Sequence, residues 1–225
     1  MALPDETSEF AELITNRENL YSLLARLFRI EVDAPLLRQL GEMGFPTDCV
    51  EPELAEGYRM MAAWLRNHGS DPLTDLAVDY ARIFLGAGVY EGAVASPYES
   101  VYTSTEGLIM QEARDQVLSA YRAKGLQCPE PLNIPEDHIA LELEFLAHLC
   151  RETLQACGDR TRLSNLLREQ KEFLEQHLGK WISAFCSDIE KCASTGFYRA
   201  VGKITLGFLN MDRKILNDLH EDELV

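Results

Sequence analysis

Apolar residues recur with the 3.6-residue period of an α-helix along nearly all of this 225-residue chain. The alternation of apolar and polar residues that is typical of a half-buried strand is scarce. The pattern therefore predicts an all-α fold, a bundle of roughly eight to ten helices. The predicted helices cover residues 8–30, 51–67, 103–125, 135–157 and 160–178, and others start near residues 72, 181 and 197.

Glycines and prolines mark the breaks between these helices. Pro35 and the cluster Gly41, Gly44 and Pro46 interrupt the chain after the first helix, and residues 86–104 are the most irregular segment. Residues 126–135 contain three prolines, which exclude a helix interior there. We interpret this segment as a hinge between two helical halves, which either stay distinct or pack as one globular unit. The halves are residues 1–125 and 136–225.

Two helix starts have local signals of their own. Thr103 followed by Glu106 has the spacing of a capping box, with Gly125 placed to end that helix. Pro135 is suited to the first position of the next helix, because its missing N–H has no helical partner there in any case. Both positions are therefore predicted as helix starts.

The net charge of −16 restricts the partners of the chain. A surface this acidic repels the phosphates of nucleic acids and of anionic lipids, and it attracts basic partners. No segment approaches the length of apolar sequence that spans a membrane, and the first residues lack the pattern of an export signal. We therefore expect a cytoplasmic protein without nucleic acid as a partner and without stable membrane insertion.

The densest polar cluster combines Glu136, Asp137 and His138 with Glu142 and Glu144 at the entry of the most hydrophobic helix. Acidic residues are favoured in a first helical turn, which explains the carboxylates but not the histidine. A binding corner beside the proline-rich break is the other interpretation. A metal-dependent helical enzyme using His138, Glu142 and Glu144 also stays open, although the H-E-x-x-H spacing of a zinc site is absent.

Motifs of catalysis are otherwise missing from the sequence. It contains no G-x-S-x-G nucleophile elbow and no G-x-x-x-x-G-K-[ST] phosphate loop. We therefore predict no catalytic residue, no bound metal and no cofactor.

Aromatic residues gather around the irregular segment, and two interpretations of them stay open. They either fill the core, or they line a groove for a peptide whose basic side chains meet nearby carboxylates. The residues concerned are Tyr80, Phe84, Tyr90, Tyr98 and Tyr102.

Two segments resemble a known family. Residues 134–146, I-P-E-D-H-I-A-L-E-L-E-F-L, are similar to the E-x-P-x-D-H signature and following helix of the TorD/DmsD/NarJ family. Residues 80–86, Y-A-R-I-F-L-G, are similar to its aromatic signature, and residues 96–102 match in type and place. The chain departs from the pattern at Asn133, which replaces the opening Glu, and at Ile83, which replaces a Leu.

The resemblance implies a function without catalysis. Members of this family are all-helical cytoplasmic chaperones that bind the N-terminal leader of molybdenum oxidoreductases, often a twin-arginine leader, and hold it for cofactor insertion before export. Arginine binds carboxylates in bidentate contacts, and the apolar part of a leader suits an aromatic groove. The resemblance thus points to the leader and the catalytic subunit as partners. The implied binding residues are Tyr80, Phe84, Tyr98, Ser100, Pro135, Asp137, His138 and Glu142.

The resemblance leaves several points open. One alternative is an assembly chaperone of the nitrate-reductase type, whose client is not exported. Some relatives bind GTP, which is implied here by the resemblance alone. Helical halves joined by a proline-rich hinge are compatible with a monomer and with a domain-swapped dimer.

Overall fold

A computed structural model describes residues 4–46, 48–88, 92, 94–127 and 134–222. The all-α prediction is confirmed, since the described residues form ten α-helices and no strand beyond one isolated bridge. The helices are α1 (Pro4–Arg29), α2 (Ala34–Glu42), α3 (Pro52–Arg66), α4 (Pro72–Phe84), α5 (Glu99–Thr103), α6 (Glu112–Ala123), α7 (Ile139–Gln155), α8 (Arg160–Gln176), α9 (Leu178–Cys192) and α10 (Gly196–Asp222).

Helix α2 was missed by the sequence, which placed only a break there. Pro35 lies in its first turn, where a proline has no backbone hydrogen bond to lose. Asp33 is the N-cap, and its Oδ1 accepts a hydrogen bond from the Leu36 N–H at 2.9 Å. The proline therefore begins a helix rather than ending one.

The single helix predicted over residues 103–125 is wrong. Thr103 is the last residue of α5, and a loop over residues 104–111 separates it from α6. Gly107 and Met110 have φ angles of +64° and +62°, which an α-helix cannot include. The hydroxyl of Ser104 accepts a hydrogen bond from the Gly107 N–H at 3.1 Å, so the polar residues form a turn instead of a capping box.

The predicted start of the next helix at Pro135 is also wrong. Helix α7 begins at Ile139, and His138 is its N-cap. The Nδ1 atom of His138 accepts a hydrogen bond from the Ala140 N–H at 3.1 Å, so the ring occupies a position usually held by Ser or Asp.

One hydrophobic core joins the two predicted halves. Helix α1 packs along α7, and α3 packs along α10, which also contacts α8 and α9. The crossing of α3 and α10 is close, since a Cβ at Gly207 would lie 2.2 Å from the Leu54 nitrogen. Residues 128–133 of the predicted hinge lie outside the described residues, so the hinge and the division into halves stay predictions. Within the described chain, no helix combines the length and apolar character needed to cross a membrane.

Candidate functional site

Two of the segments singled out in the sequence lie side by side. Residues 98 and 138 form the isolated antiparallel bridge, with the Ile139 N–H donating to the Pro97 carbonyl at 2.9 Å. The Glu99 N–H donates to the Asp137 carbonyl at 3.0 Å, and the rings of Tyr98 and His138 meet edge to face at 5.1 Å. The fold therefore joins residues that are about 40 positions apart in sequence, which periodicity cannot show.

Asp137 is fully buried at this junction and holds the start of α5. Its Oδ2 accepts a hydrogen bond from the Ser100 N–H at 2.9 Å, while Oδ1 has no partner among the described residues. Burial raises the pKa of Asp137, and the hydrogen bonds from Ser100 oppose that shift. Ser100 is also fully buried, and its hydroxyl accepts a hydrogen bond from the Gln111 N–H at 3.1 Å.

The His138 ring is neutral in the folded protein at ordinary pH. Burial, together with the nearby positive charge of Arg29, lowers the pKa of His138 to about 4. A neutral ring can use Nδ1 as an acceptor, which the cap at Ala140 requires. A positive charge is unfavourable at the start of a helix, which is why a histidine was hard to explain there from sequence. The uncharged ring of His138 carries no such cost.

Glu142 continues the site one turn along α7 and is completely buried. Its Oε2 accepts a hydrogen bond from the Trp181 indole N–H at 3.3 Å. Burial raises the pKa of Glu142 well above its usual value, and repulsion from Glu99 and Asp137 adds to the shift. Its Oε1 has no hydrogen-bond partner among the described residues. A protonated Glu142 carboxyl can donate a hydrogen bond to Glu99, which favours the neutral form of Glu142.

Glu99 and His177 belong to the same cluster, although neither was among the predicted binding residues; Glu99 lies inside the family-like segment 96–102, and His177 lies in no motif. Glu99 is 1% exposed, and its Oε2 lies 2.9 Å from Nδ1 of His177. The two residues are 78 positions apart, so no local spacing could have linked them. The complete cluster therefore draws on α5, α7 and the junction of α8 with α9.

The aromatic signature lies beneath this cluster, within the core. The Tyr80 hydroxyl donates to the Phe28 carbonyl at 3.0 Å, and the Phe84 ring contacts those of Phe28 and Phe185 at 5.7 and 6.1 Å. Phe185 in turn contacts Trp181 at 5.2 Å. Tyr80 and Phe84 are thus core residues that connect the signature on α4 to the tryptophan below Glu142.

Comparison with known proteins identifies the family. The model of the nitrate reductase delta subunit family matches residues 48–187, more than half of the chain. A chaperone protein TorD of Vibrio cholerae is 34% identical over 152 residues, which cover 68% of this chain and 67% of the relative. A chaperone protein TorD of Shewanella pealeana is 27% identical over 227 aligned positions, covering 96% of both chains. The chain belongs to the TorD-like family.

Membership of the TorD-like family confirms the resemblance that the two signatures suggested. The relatives carry the name of chaperones, in agreement with the prediction that this protein is not an enzyme. Two of the eight predicted binding residues, Tyr98 and Pro135, are half-buried. The buried six are Tyr80, Phe84, Ser100, Asp137, His138 and Glu142. Leader binding at this site stays a prediction, and Tyr90 lies outside the described residues.

The three side chains of the alternative metal site, His138, Glu142 and Glu144, each contact a different partner in this TorD-like protein. His138 caps α7, Glu142 binds Trp181 inside the core, and the half-exposed Glu144 forms an ion pair with Arg29. Glu142 and Glu144 are two residues apart on one helix, so they lie on opposite faces. Within the described side chains, no group of three His, Cys, Asp or Glu residues is arranged to hold a metal ion.

Proposed function

We propose that this protein is a cytoplasmic maturation chaperone for a molybdopterin-containing oxidoreductase. In this proposal it binds the N-terminal, twin-arginine type leader of the enzyme and holds it until the cofactor has been inserted, before export. The observation that carries the proposal is the backbone pairing of residues 97–99 with 137–139, which joins two of the family-like segments in a member of the TorD-like family.

The charge of the chain supports a basic, partly apolar ligand. A twin-arginine leader carries an arginine pair followed by an apolar stretch, and the net charge of −16 attracts such a segment over long range. Arginine and carboxylate form bidentate hydrogen bonds that are stronger than those between neutral groups. Because long-range attraction is screened by ions, leader binding is expected to weaken as salt is added.

The buried signature residues act in this proposal by positioning, not by touching the leader. Asp137 and Ser100 fix the start of α5, and His138 fixes the start of α7. The half-buried Tyr98 and Pro135 are the members of the predicted set that a bound peptide could reach without rearrangement.

Calorimetric titration with synthetic leader peptides tests the proposal. The peptides are taken from molybdenum oxidoreductases of the same source, and each is paired with a version whose arginine pair is replaced by alanines. We expect one leader to bind with a Kd of about 1 μM or tighter, with weaker binding at high salt and after loss of the arginines. Failure of the folded protein to bind any leader would contradict the proposal.

Phe84→Ala is unsuitable as a binding test, although Phe84 is one of the binding residues that the family resemblance implies. Phe84 is 6% exposed and contacts several rings of the core. Its removal is expected to cost about 3–5 kcal/mol of folding free energy, so a loss of binding would only report unfolding. Substitutions at exposed positions are needed instead.

A second candidate is an assembly chaperone for a nitrate reductase that is not exported. The match to the family described as nitrate reductase delta subunit favours it. The two candidates differ in the ligand, since a client that stays in the cytoplasm needs no twin-arginine motif. Equal binding of the natural peptide and of its arginine-free version would favour the nitrate-reductase type.

A further inference from the structure

The loop between α5 and α6 exposes three consecutive apolar side chains. Leu108, Ile109 and Met110 are 54%, 48% and 55% exposed. A single exposed apolar residue is ordinary on a protein surface, but a continuous run is unfavourable unless a partner covers it. Methionine also adapts its shape readily to an apolar partner.

The backbone of this loop is held in a strained conformation. Met110 has a φ of +62°, and it is the only non-glycine residue with a positive φ in the described part of the chain. This conformation costs roughly 1–2 kcal/mol for a residue with a Cβ. The Ile109 carbonyl accepts a hydrogen bond from the Gln111 amide side chain at 3.0 Å. The apolar tip of the loop, Leu108–Met110, therefore keeps a backbone conformation that a non-glycine residue normally avoids. Such strained residues are common at binding sites.

The loop is tied to the buried signature through one serine. Asp137 accepts the Ser100 N–H at 2.9 Å, and the Ser100 hydroxyl accepts the Gln111 N–H at 3.1 Å. Asp137 and Ser100 are both fully buried, whereas the residues just before Gln111 are exposed. The signature aspartate is thus linked through Ser100 to the residue that follows the exposed apolar run.

Carboxylates flank the apolar tip. Glu106 precedes it and Glu112 follows it, and both side chains are exposed. Neither forms an ion pair with another described residue, whereas Arg114 nearby is engaged by Glu136 at 2.5 Å. A matching partner therefore combines an apolar surface with adjacent positive charge.

We propose that the loop Gly107–Gln111 is the surface that contacts the leader, with the apolar stretch on Leu108, Ile109 and Met110 and the arginines near Glu106 and Glu112. This inference rests on the proposed function and assigns its contact surface. The complementarity holds for both parts of the ligand, because apolar contact and arginine–carboxylate pairing are offered side by side.

The double variant Leu108→Ser/Ile109→Ser tests the apolar part by calorimetric titration with a leader that the unchanged protein binds. We expect its affinity to fall by about tenfold or more, since two apolar contacts are lost. Val78→Ser is the matched control, because Val78 is 63% exposed on α4, and its affinity should stay within about twofold. Circular dichroism and the unfolding midpoint show whether each variant is folded.

The double variant Glu106→Gln/Glu112→Gln tests the charged part. Its affinity should fall, and the difference between low and high salt should shrink, because two carboxylates no longer attract the arginines. Asp137→Ala should also lower the affinity by releasing Ser100. Asp137→Asn should restore part of it, since its amide oxygen can still accept the Ser100 N–H.

Two results would overturn the assignment of the loop. One is wild-type affinity in the folded Leu108→Ser/Ile109→Ser variant. The other is a loss of affinity in Ile30→Ser/Leu85→Ser instead, since Ile30 and Leu85 are 52% and 65% exposed elsewhere on the surface. In both cases the unchanged protein still binds leader, so the proposed function survives. Absence of leader binding by the unchanged protein overturns the loop assignment together with the proposed function.

Discussion

Two buried polar clusters in this protein are built on opposite principles. Between α1 and α10, Arg17 donates to both oxygens of Asp212 at 2.5 and 2.9 Å, and the Tyr21 hydroxyl donates to the same carboxylate at 2.6 Å. At the signature, the three carboxyl groups of Glu99, Asp137 and Glu142 are buried together. The first cluster contains one positive and one negative charge, whereas the second has an excess of acids.

The difference shows in the ionisation of the two clusters. Burial alone would lower the pKa of Arg17, but the adjacent carboxylate of Asp212 more than compensates and raises it above its usual range. Burial raises the pKa values of Asp137 and Glu142, so these two carboxyls are harder to ionise in the folded protein than in water. Buried carboxyl groups that repel one another when ionised reduce the stability of the fold. Such groups with perturbed pKa values are typical of functional sites. We infer that the first cluster supports the fold and the second supports binding.

Removing Asp212 should have the largest effect on stability. Asp212→Ala leaves the Arg17 guanidinium buried without its counter-charge, which is expected to cost about 3–5 kcal/mol. The double variant Arg17→Met/Asp212→Leu removes both charges and should recover part of that loss, although the buried Tyr21 hydroxyl then lacks its acceptor. Urea unfolding of the three proteins measures the difference, and a loss below about 1 kcal/mol for Asp212→Ala would remove the contrast between the clusters.

Replacing Glu142 should have an effect that depends on pH. Because the pKa of Glu142 is raised in the folded state, its contribution to stability is complete below the unfolded value of 4.5 and is lost as the pH rises through the folded value. Glu142→Gln keeps the shape and an acceptor for Trp181 but cannot ionise. It should match the unchanged protein near pH 4 and become the more stable of the two as the pH rises.

Urea unfolding between about pH 4 and pH 8 measures this divergence, which can reach about 1.4 kcal/mol per pH unit while one proton is being lost. Glu144→Gln is the matched control, because that side chain is 40% exposed on the opposite face of α7. This control shows how much of the divergence comes from replacing any carboxylate of α7 by an amide. A Glu142→Gln protein that is less stable than the unchanged protein near pH 8 would contradict the raised pKa of Glu142 in the folded state.

His138→Ala should cost about 1 kcal/mol, the usual value of a lost N-cap. His138→Asn should retain that stability, because its side-chain oxygen can accept the Ala140 N–H. The low folded pKa of about 4 means that the unchanged protein gains stability from pH 4 to 6.5, where only the unfolded histidine binds a proton. His138→Asn should lack that rise, and a similar rise in both proteins would refute the neutral, capping histidine.

The smallest effect on stability is expected at the exposed loop. Leu108→Ser/Ile109→Ser removes side chains that are about half exposed, so the free energy of unfolding should change by no more than about 0.5 kcal/mol. Urea unfolding of this variant beside Val78→Ser checks the expectation. A loss of several kcal/mol would mean that the loop belongs to the folded core and not to a binding surface.

The helices could be predicted from sequence because apolar periodicity is a local signal. It located α1, α3, α4 and α8, where one face of each helix enters the core. It failed where a local signal has two meanings. Pro35 was taken as a break, although Asp33 two residues earlier supplies the cap that makes it a helix start. Thr103 and Glu106 had the spacing of a capping box, but the glycine and serine around them form a turn.

The site was harder to predict, because its contacts join distant segments. The sequence indicated Asp137, His138 and Glu142 as a group, and the structure places all three in or beside one cluster. Glu99 lies in the family-like segment 96–102 but was not predicted as a site residue, and His177 lies in no motif. Only the meeting of α5 with the α8–α9 junction brings the two together. Burial is likewise a tertiary property, so the sequence could not separate residues that position the site from residues that are exposed to a ligand.

Hydrogen exchange measured by mass spectrometry, with and without a bound leader peptide, tests the central claim most directly. If the buried signature positions a loop that contacts the leader, the peptide should slow amide exchange over residues 98–111 and around the start of α7. The first of these segments contains the hydrogen-bonded amides of Ser100 and Gln111. Slowed exchange confined to other segments, such as α1 and α10, would contradict the claim, because the leader would then bind at a surface that the signature does not organise.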